Sequence, residues 1–108
     1  VAYTGTHDNN TTLDWLKSLE GEEKKMVKFY LKGRGRKALK NAIEIIWSST
    51  ANTGIIPMQD MLEMGAKARM NTPGVANGNW DWRFQWKQLK NRQKVFIQTI
   101  TEKYNRCK

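Results

Sequence analysis

The sequence predicts an α/β fold in which two short parallel strands are joined by a helical crossover. Three observations predict it. Val1–Thr4 and Thr53–Pro57 are short apolar runs of strand length, and each ends at polar or turn-forming residues. Between them lies a helical stretch of roughly 45 residues, the connection that a right-handed βαβ unit requires. After the second run comes a loop rich in Gly, Asn and Pro, and then a stripe of apolar residues at helical spacing. Two parallel strands leave open edges, so helices should dominate this stretch of chain.

Each element follows from local chemistry. Asn9, Asn10 and Thr11 offer N-cap groups for a helix over Thr12–Leu19, whose Leu13, Trp15 and Leu16 form an apolar face. Gly21 ends it. Glu22–Lys32 is a second helix, with Met26 and Tyr30, and Val27 and Leu31, paired four apart. Its acids at Glu22 and Glu23 suit the N-terminus, and Lys32 suits the C-terminus. Gly33-Arg34-Gly35 reads as a flexible joint. Lys37–Ser49 carries Leu39, Ala42, Ile43, Ile46 and Trp47 at helical spacing. Pro57 removes a ladder donor and marks the end of the second strand. Asp60 is placed to cap a brief turn over Met61–Met64. Gly65–Arg83 should be mostly loop. A final helix is expected over Trp86–Asn105, burying Leu89, Phe96, Ile100 and Tyr104.

Length and composition bound the answer. At 108 residues the chain is one domain at most. It starts inside the first expected strand, without an initiator Met or a charged-then-apolar leader, and reads as a segment of something longer. No apolar run approaches the ~20 residues that span a bilayer. The single cysteine, Cys107, rules out an intrachain disulfide and fits a reducing, cytoplasmic setting. The formal charge is +9. Much of it sits in Lys24, Lys25, Lys28, Lys32, Arg34, Arg36, Lys37 and Lys40, a run without acids. A solvated helix pair is the preferred reading. The alternative is a small basic helical module that binds nucleic acid through Lys24–Lys40, with Phe29 and Tyr30 beside it.

The richest stretch is Tyr3-Thr4-Gly5-Thr6-His7-Asp8-Asn9-Asn10-Thr11. An apolar run ends in glycine, and a histidine, a carboxylate and two amides follow. Strands that deliver polar groups into a site at their C-terminal ends have this layout. Taken alone, Asp8 could be a general base, a metal ligand, an electrostatic stabiliser or a helix cap. His7 and Asp8 would share a pocket only if the chain turns there, and Gly5 makes such a turn easy. With one histidine in the chain, nothing supplies a tetrahedral metal set. Cys107 has no base near it in sequence, and no glycine loop could cradle a phosphate.

The same stretch resembles the 4-α-glucanotransferases (amylomaltase, or disproportionating enzyme), which carry Tyr-Thr-Gly-Thr-His-Asp-Asn-Asp-Thr-Thr-Leu. A second block agrees in order and spacing: Ile56-Pro57-Met58-Gln59-Asp60, Ala68-Arg69-Met70-Asn71-Thr72-Pro73-Gly74 and Gly78-Asn79-Trp80-Asp81-Trp82-Arg83. Two departures stand out. Asn10 replaces the usual Asp and is read as structural, and Glu63 stands where Gly is common.

The resemblance implies the following. The two strands are the last two of a (β/α)8 barrel, and residues 1–108 are one segment, the C-terminal portion of its catalytic domain. The remainder of the barrel is the partner, and the substrate is an α-1,4-glucan or maltooligosaccharide. No cofactor, metal, nucleic acid or membrane is implied. The reaction is a retaining glycosyl transfer, which uses two carboxyl groups roughly 5–5.5 Å apart. Both lie upstream of this segment, so the segment alone should be inactive. Asp8 matches a third carboxylate that grips hydroxyls of the sugar at the cleavage point, and His7 matches the histidine beside it. A donor and a charged acceptor suit vicinal hydroxyls. Asn9 also matches the family and, with His7, Arg69 and Asn71, is expected to bind the substrate. Arg69 and Asn71 border the cleft, with Asn71 the better candidate for direct contact; otherwise both only tie their own loop together. Trp15 and Trp47 are expected in the core, and Trp80 and Trp82 as buried anchors of the loop rather than sugar platforms.

Overall fold

The computed structural model describes residues 1–107. Among them, the sheet has two parallel strands, β1 (Ala2–Tyr3) and β2 (Gly54–Ile55), with Ala2 opposite Gly54 and Tyr3 opposite Ile55. The Ala2 amide extends the ladder by donating to Thr53 O at 2.9 Å. Helices α1 (Thr12–Ser18), α2 (Gly21–Leu31) and α3 (Gly35–Ser48) form the crossover. Past β2 come a short α4 (Met58–Met61), a 3-10 turn at Ala66–Ala68, a second at Trp86–Gln88, and α5 (Asn91–Lys103). The described segment is thus α/β and mostly helical.

The core is where the apolar stripes of α1, α3 and α5 meet. Leu13, Leu39, Ile43 and Ile100 are buried together, with Leu16, Trp47, Ile56, Phe96, Ile97 and Tyr104 packed against them. Leu39 and Ile43 are shielded completely, worth about 1.5–3 kcal/mol each. The Trp47 indole donates to Thr101 Oγ1 at 3.0 Å, so its polar edge is satisfied inside the packing. Trp15 differs from expectation: 43% exposed, it lies beside the α1 stripe that Leu13 and Leu16 bury.

Helix ends are held by specific partners. Thr11 caps α1, its hydroxyl accepting from the Asp14 amide. Gly33-Arg34-Gly35 is a defined turn, not a loose joint. Asn41 Nδ2 closes it by donating to Leu31 O at 2.5 Å, and Gly35 takes the left-handed φ of +53°. The α3 C-terminus is closed from a distance: the Arg106 guanidinium donates to the carbonyls of Trp47, Ser49 and Ala51 at 2.6–3.0 Å. A cation over free helix carbonyls satisfies both the hydrogen bonds and the dipole. The last helix is shorter than the sequence suggests. Leu89 is extended between the 3-10 turn and α5, and Gln93 Oε1 accepts the Lys90 amide at 2.7 Å to start α5 anew.

Asp60 does not cap its own turn. It is 2% exposed and reaches across to α1 and β1. Its carboxylate accepts from the Thr12 amide at 2.9 Å, the Thr12 hydroxyl at 2.6 Å and the Thr4 hydroxyl at 2.5 Å. An anion at the α1 N-terminus is favoured by the helix dipole. This knot fixes the loop between β1 and α1, which carries the candidate site.

Candidate functional site

The loop after β1 turns at His7–Asp8. The Asn9 amide donates to Thr6 O at 3.1 Å, and Asn9 Oδ1 accepts from the Thr6 amide at 2.7 Å and its hydroxyl at 3.0 Å. Asn9 therefore spends its carbonyl oxygen on the loop itself. The turn lies beyond Gly5, which is not in the left-handed region and whose added Cβ would meet Asn9 only at ordinary contact distance. The turn brings the two adjacent side chains to one side. His7 Nε2 lies 3.4 Å from Asp8 Oδ1, and each side chain is about half exposed (54% and 50%). The two attract as charges only when the imidazole is protonated.

The loop after α4 closes on this turn. The Asn71 amide donates to His7 O at 3.1 Å, and Asn71 Nδ2 donates to Asp8 Oδ1 at 2.6 Å. Arg69 donates from Nη2 to Asp8 O at 2.8 Å and from Nε to Asn71 O at 2.9 Å. The five residues singled out in the sequence thus converge, with different geometry. His7, Asp8 and Asn71 bring side-chain groups together. Arg69 bonds backbone carbonyls and braces the two loops, and Asn9 closes its own turn.

Trp80 is not buried within this segment, where a buried anchor was expected. It is 53% exposed, and its ring lies against the His7 imidazole at 4.9 Å between centroids, tilted by 39°. Its backbone is left-handed, φ +64°. That conformation costs a non-glycine residue about 1–2 kcal/mol, so the surroundings must enforce it. They do so through the Trp80 amide, donating to Met70 O at 2.7 Å, and Arg83 Nη1, donating to Trp80 O at 3.0 Å. Asn79 stiffens the approach by accepting the Thr72 amide and donating to Val75 O. The signal was in the sequence, where Asn79-Trp80 follows a turn glycine, but exposure was not. Trp82 is half-buried and stacks on Phe84 at 5.8 Å.

A groove of about 460 Å³ opens here. Thr6, His7 and Asn9 line it from the β1 loop, Arg69, Met70 and Trp80 from the long loop, and Ile55 and Asp60 from the β2–α4 segment. Among the described residues, no three His, Cys, Asp or Glu side chains converge as a metal site.

Residues 1–90 match the family model described as 4-alpha-glucanotransferase. This chain belongs to the 4-alpha-glucanotransferase family. Among relatives, the chloroplastic/amyloplastic 4-alpha-glucanotransferase of Arabidopsis thaliana is 49% identical over 84 residues, covering 77% of this chain and 15% of that protein. The 4-alpha-glucanotransferase of Synechocystis sp. is 39% identical over 107 residues, covering 98% of this chain and 21% of that protein. A solved amylomaltase from Streptococcus agalactiae, in complex with acarbose, superposes with a TM-score of 0.82 at 32% identity, covering 95% of this chain and 21% of the other. The chain therefore spans about a fifth, or less, of these 4-alpha-glucanotransferase relatives.

Nothing supports the nucleic-acid reading. Lys24, Lys25, Lys28, Lys32, Arg34, Arg36 and Lys37 are exposed, and Arg36 approaches the Glu63 carboxylate at 3.7 Å. Lys40 is half-buried, its ammonium over the Phe96 ring. Among the described residues, no helix is long and apolar enough to cross a membrane.

Proposed function

We propose that residues 1–108 form the C-terminal portion of the catalytic (β/α)8 barrel of a 4-α-glucanotransferase, and that β1 and β2 are its last two strands. The whole enzyme cuts an α-1,4-glucan, holds the glycosyl unit covalently with retention, and passes it to the 4-hydroxyl of another sugar. The remainder of the barrel supplies the nucleophile and the acid/base, so this segment alone leaves maltotriose unchanged. The observation that carries the reading is the convergence of Asp8, His7 and Asn71 beyond the C-terminal ends of two parallel strands. Barrel enzymes assemble their sites there. We place the enzyme in the cytoplasm, although the Arabidopsis relative is named for the plastid.

Asn71 and His7 both approach Oδ1 of Asp8, so Oδ2 is the atom offered to a sugar hydroxyl. His7 adds a donor for the adjacent hydroxyl. A charged acceptor of this kind acts most strongly as positive charge develops on the flattening ring, which lowers the barrier rather than merely binding substrate. Asn71 aims the carboxylate, Arg69 joins the two loops, and Asn9 keeps the turn in shape.

Asp8→Asn in the complete enzyme tests this. It preserves shape and removes the charge. We expect kcat with maltotriose to fall at least about tenfold, or 1.4 kcal/mol in barrier, with less change in KM. The melting temperature should hold, since Asn suits a polar turn as well as Asp does. A kcat near that of the parent enzyme would remove Asp8 from the active site.

A further inference from the structure

Trp80 combines a left-handed backbone, a ring half-exposed within this segment, and a place in the groove wall beside His7, and structural anchoring leaves the strained backbone unexplained. An anchoring indole needs no strained backbone. Here the loop forces the backbone into a costly region, and the ring it positions lines the groove. Strain of this kind survives only where surrounding bonds over-determine it, and it concentrates at working sites.

We infer that Trp80 is a substrate-binding residue, whose indole forms an apolar wall against which a glucose ring of the glucan stacks beside Asp8. The inference rests on the glucanotransferase reading above. A pyranose ring has axial C–H groups on its faces, and these pack on the negative face of an aromatic ring while its hydroxyls point outward to polar partners. The groove supplies both kinds of surface. Trp80 gives the apolar wall, and His7, adjoining Asp8, lies against the same indole at 4.9 Å. The imidazole buttresses the indole, and the left-handed φ of +64° keeps the ring in the groove wall.

Two substitutions in the complete enzyme test it, with maltotriose as substrate. Trp80→Gly removes the ring and relieves the left-handed backbone, since glycine adopts positive φ freely. We expect its melting temperature to stay level or rise while KM rises about tenfold, because stacking acts on bound substrate and transition state alike. The kcat should change much less, unlike Asp8→Asn. Trp80→Leu retains apolar bulk without an aromatic face and keeps the loop folded; it should raise KM as well. Parent-like KM in either folded variant would overturn the inference while leaving the glucanotransferase reading intact. A complete parent enzyme that transfers no glucosyl units would instead sink both.

Discussion

Glu63 occupies a backbone conformation that its side chain does not favour, with φ +58°. The resemblance leads one to expect glycine at this position, and the left-handed turn after α4 is one that glycine adopts freely. The glutamate offsets the strain with charge. Its side chain is 4% exposed, Arg92 Nη1 donates to Oε2 at 2.8 Å, and Arg36 approaches the same oxygen. Among the described residues Oε1 has no partner, so the burial is incompletely satisfied. Two substitutions separate these effects. Glu63→Ala loses the ion pair and keeps the strained φ, whereas Glu63→Gly loses the pair and relaxes the backbone. We expect the glycine variant to be more stable than the alanine variant by about 1 kcal/mol, read from denaturant midpoints. Equal midpoints would mean that the turn stores no strain.

Helices with a marked apolar period were legible in the sequence, because periodicity is a local property. Leu39 and Ile43 are buried on α3, and Phe96, Ile100 and Tyr104 lie on the packed side of α5, as their spacing implies. Ties between distant elements were not legible. Nothing near Asp60 in sequence announces that its carboxylate will bind Thr4 and Thr12, and nothing near Arg106 announces the end of α3. Both depend on the crossover having already folded. The Asp60 knot joins β1, α1 and α4, so its loss should be felt by all three. Asp60→Ala would leave one buried amide and two hydroxyls short of an acceptor. We expect it to cost about 3 kcal/mol or more in the complete protein, measured by equilibrium unfolding. An unchanged transition would show that solvent replaces the carboxylate freely.

Across the whole segment the formal charge is +9, and some of the few acids tie basic elements together. Glu44 on α3 shows this. Lys103 Nζ and the Tyr104 hydroxyl donate to its Oε1 at 2.8 and 2.7 Å, tying α3 to α5. Those hydrogen bonds, Lys103 first, hold the Glu44 carboxyl below the usual carboxylate range. The folded state thus favours the charged form. This contribution is present above the ordinary carboxylate range and is lost as pH falls through the lowered value. Glu44→Gln should therefore lose stability less steeply on acidification than the parent, while being the less stable of the two at neutral pH. Parallel curves at every pH would exclude the linkage. The candidate site was legible as residues but not as geometry. His7, Asp8 and Asn71 could be named from their order along the chain. That Arg69 bonds backbone, and that Trp80 lines the groove, follows from loop conformations set by turns at Gly74, Gly78 and Trp80, all at positive φ.

The amide of Asn71, bonded to the carbonyl of His7, is a reporter as well as a brace. Its proton can exchange with solvent deuterium only when the two loops part, so its protection measures the free energy of that parting. A glucan lying across both loops would have to be released, or strained, before they separate. Saturating maltotriose in the complete enzyme should therefore slow exchange at Asn71 while leaving the Ala2 amide, paired in the sheet to Thr53, nearly unchanged. Read this way, one backbone hydrogen bond distinguishes a cleft that opens to admit its sugar from one that stands ready-formed, without any chemical turnover being followed.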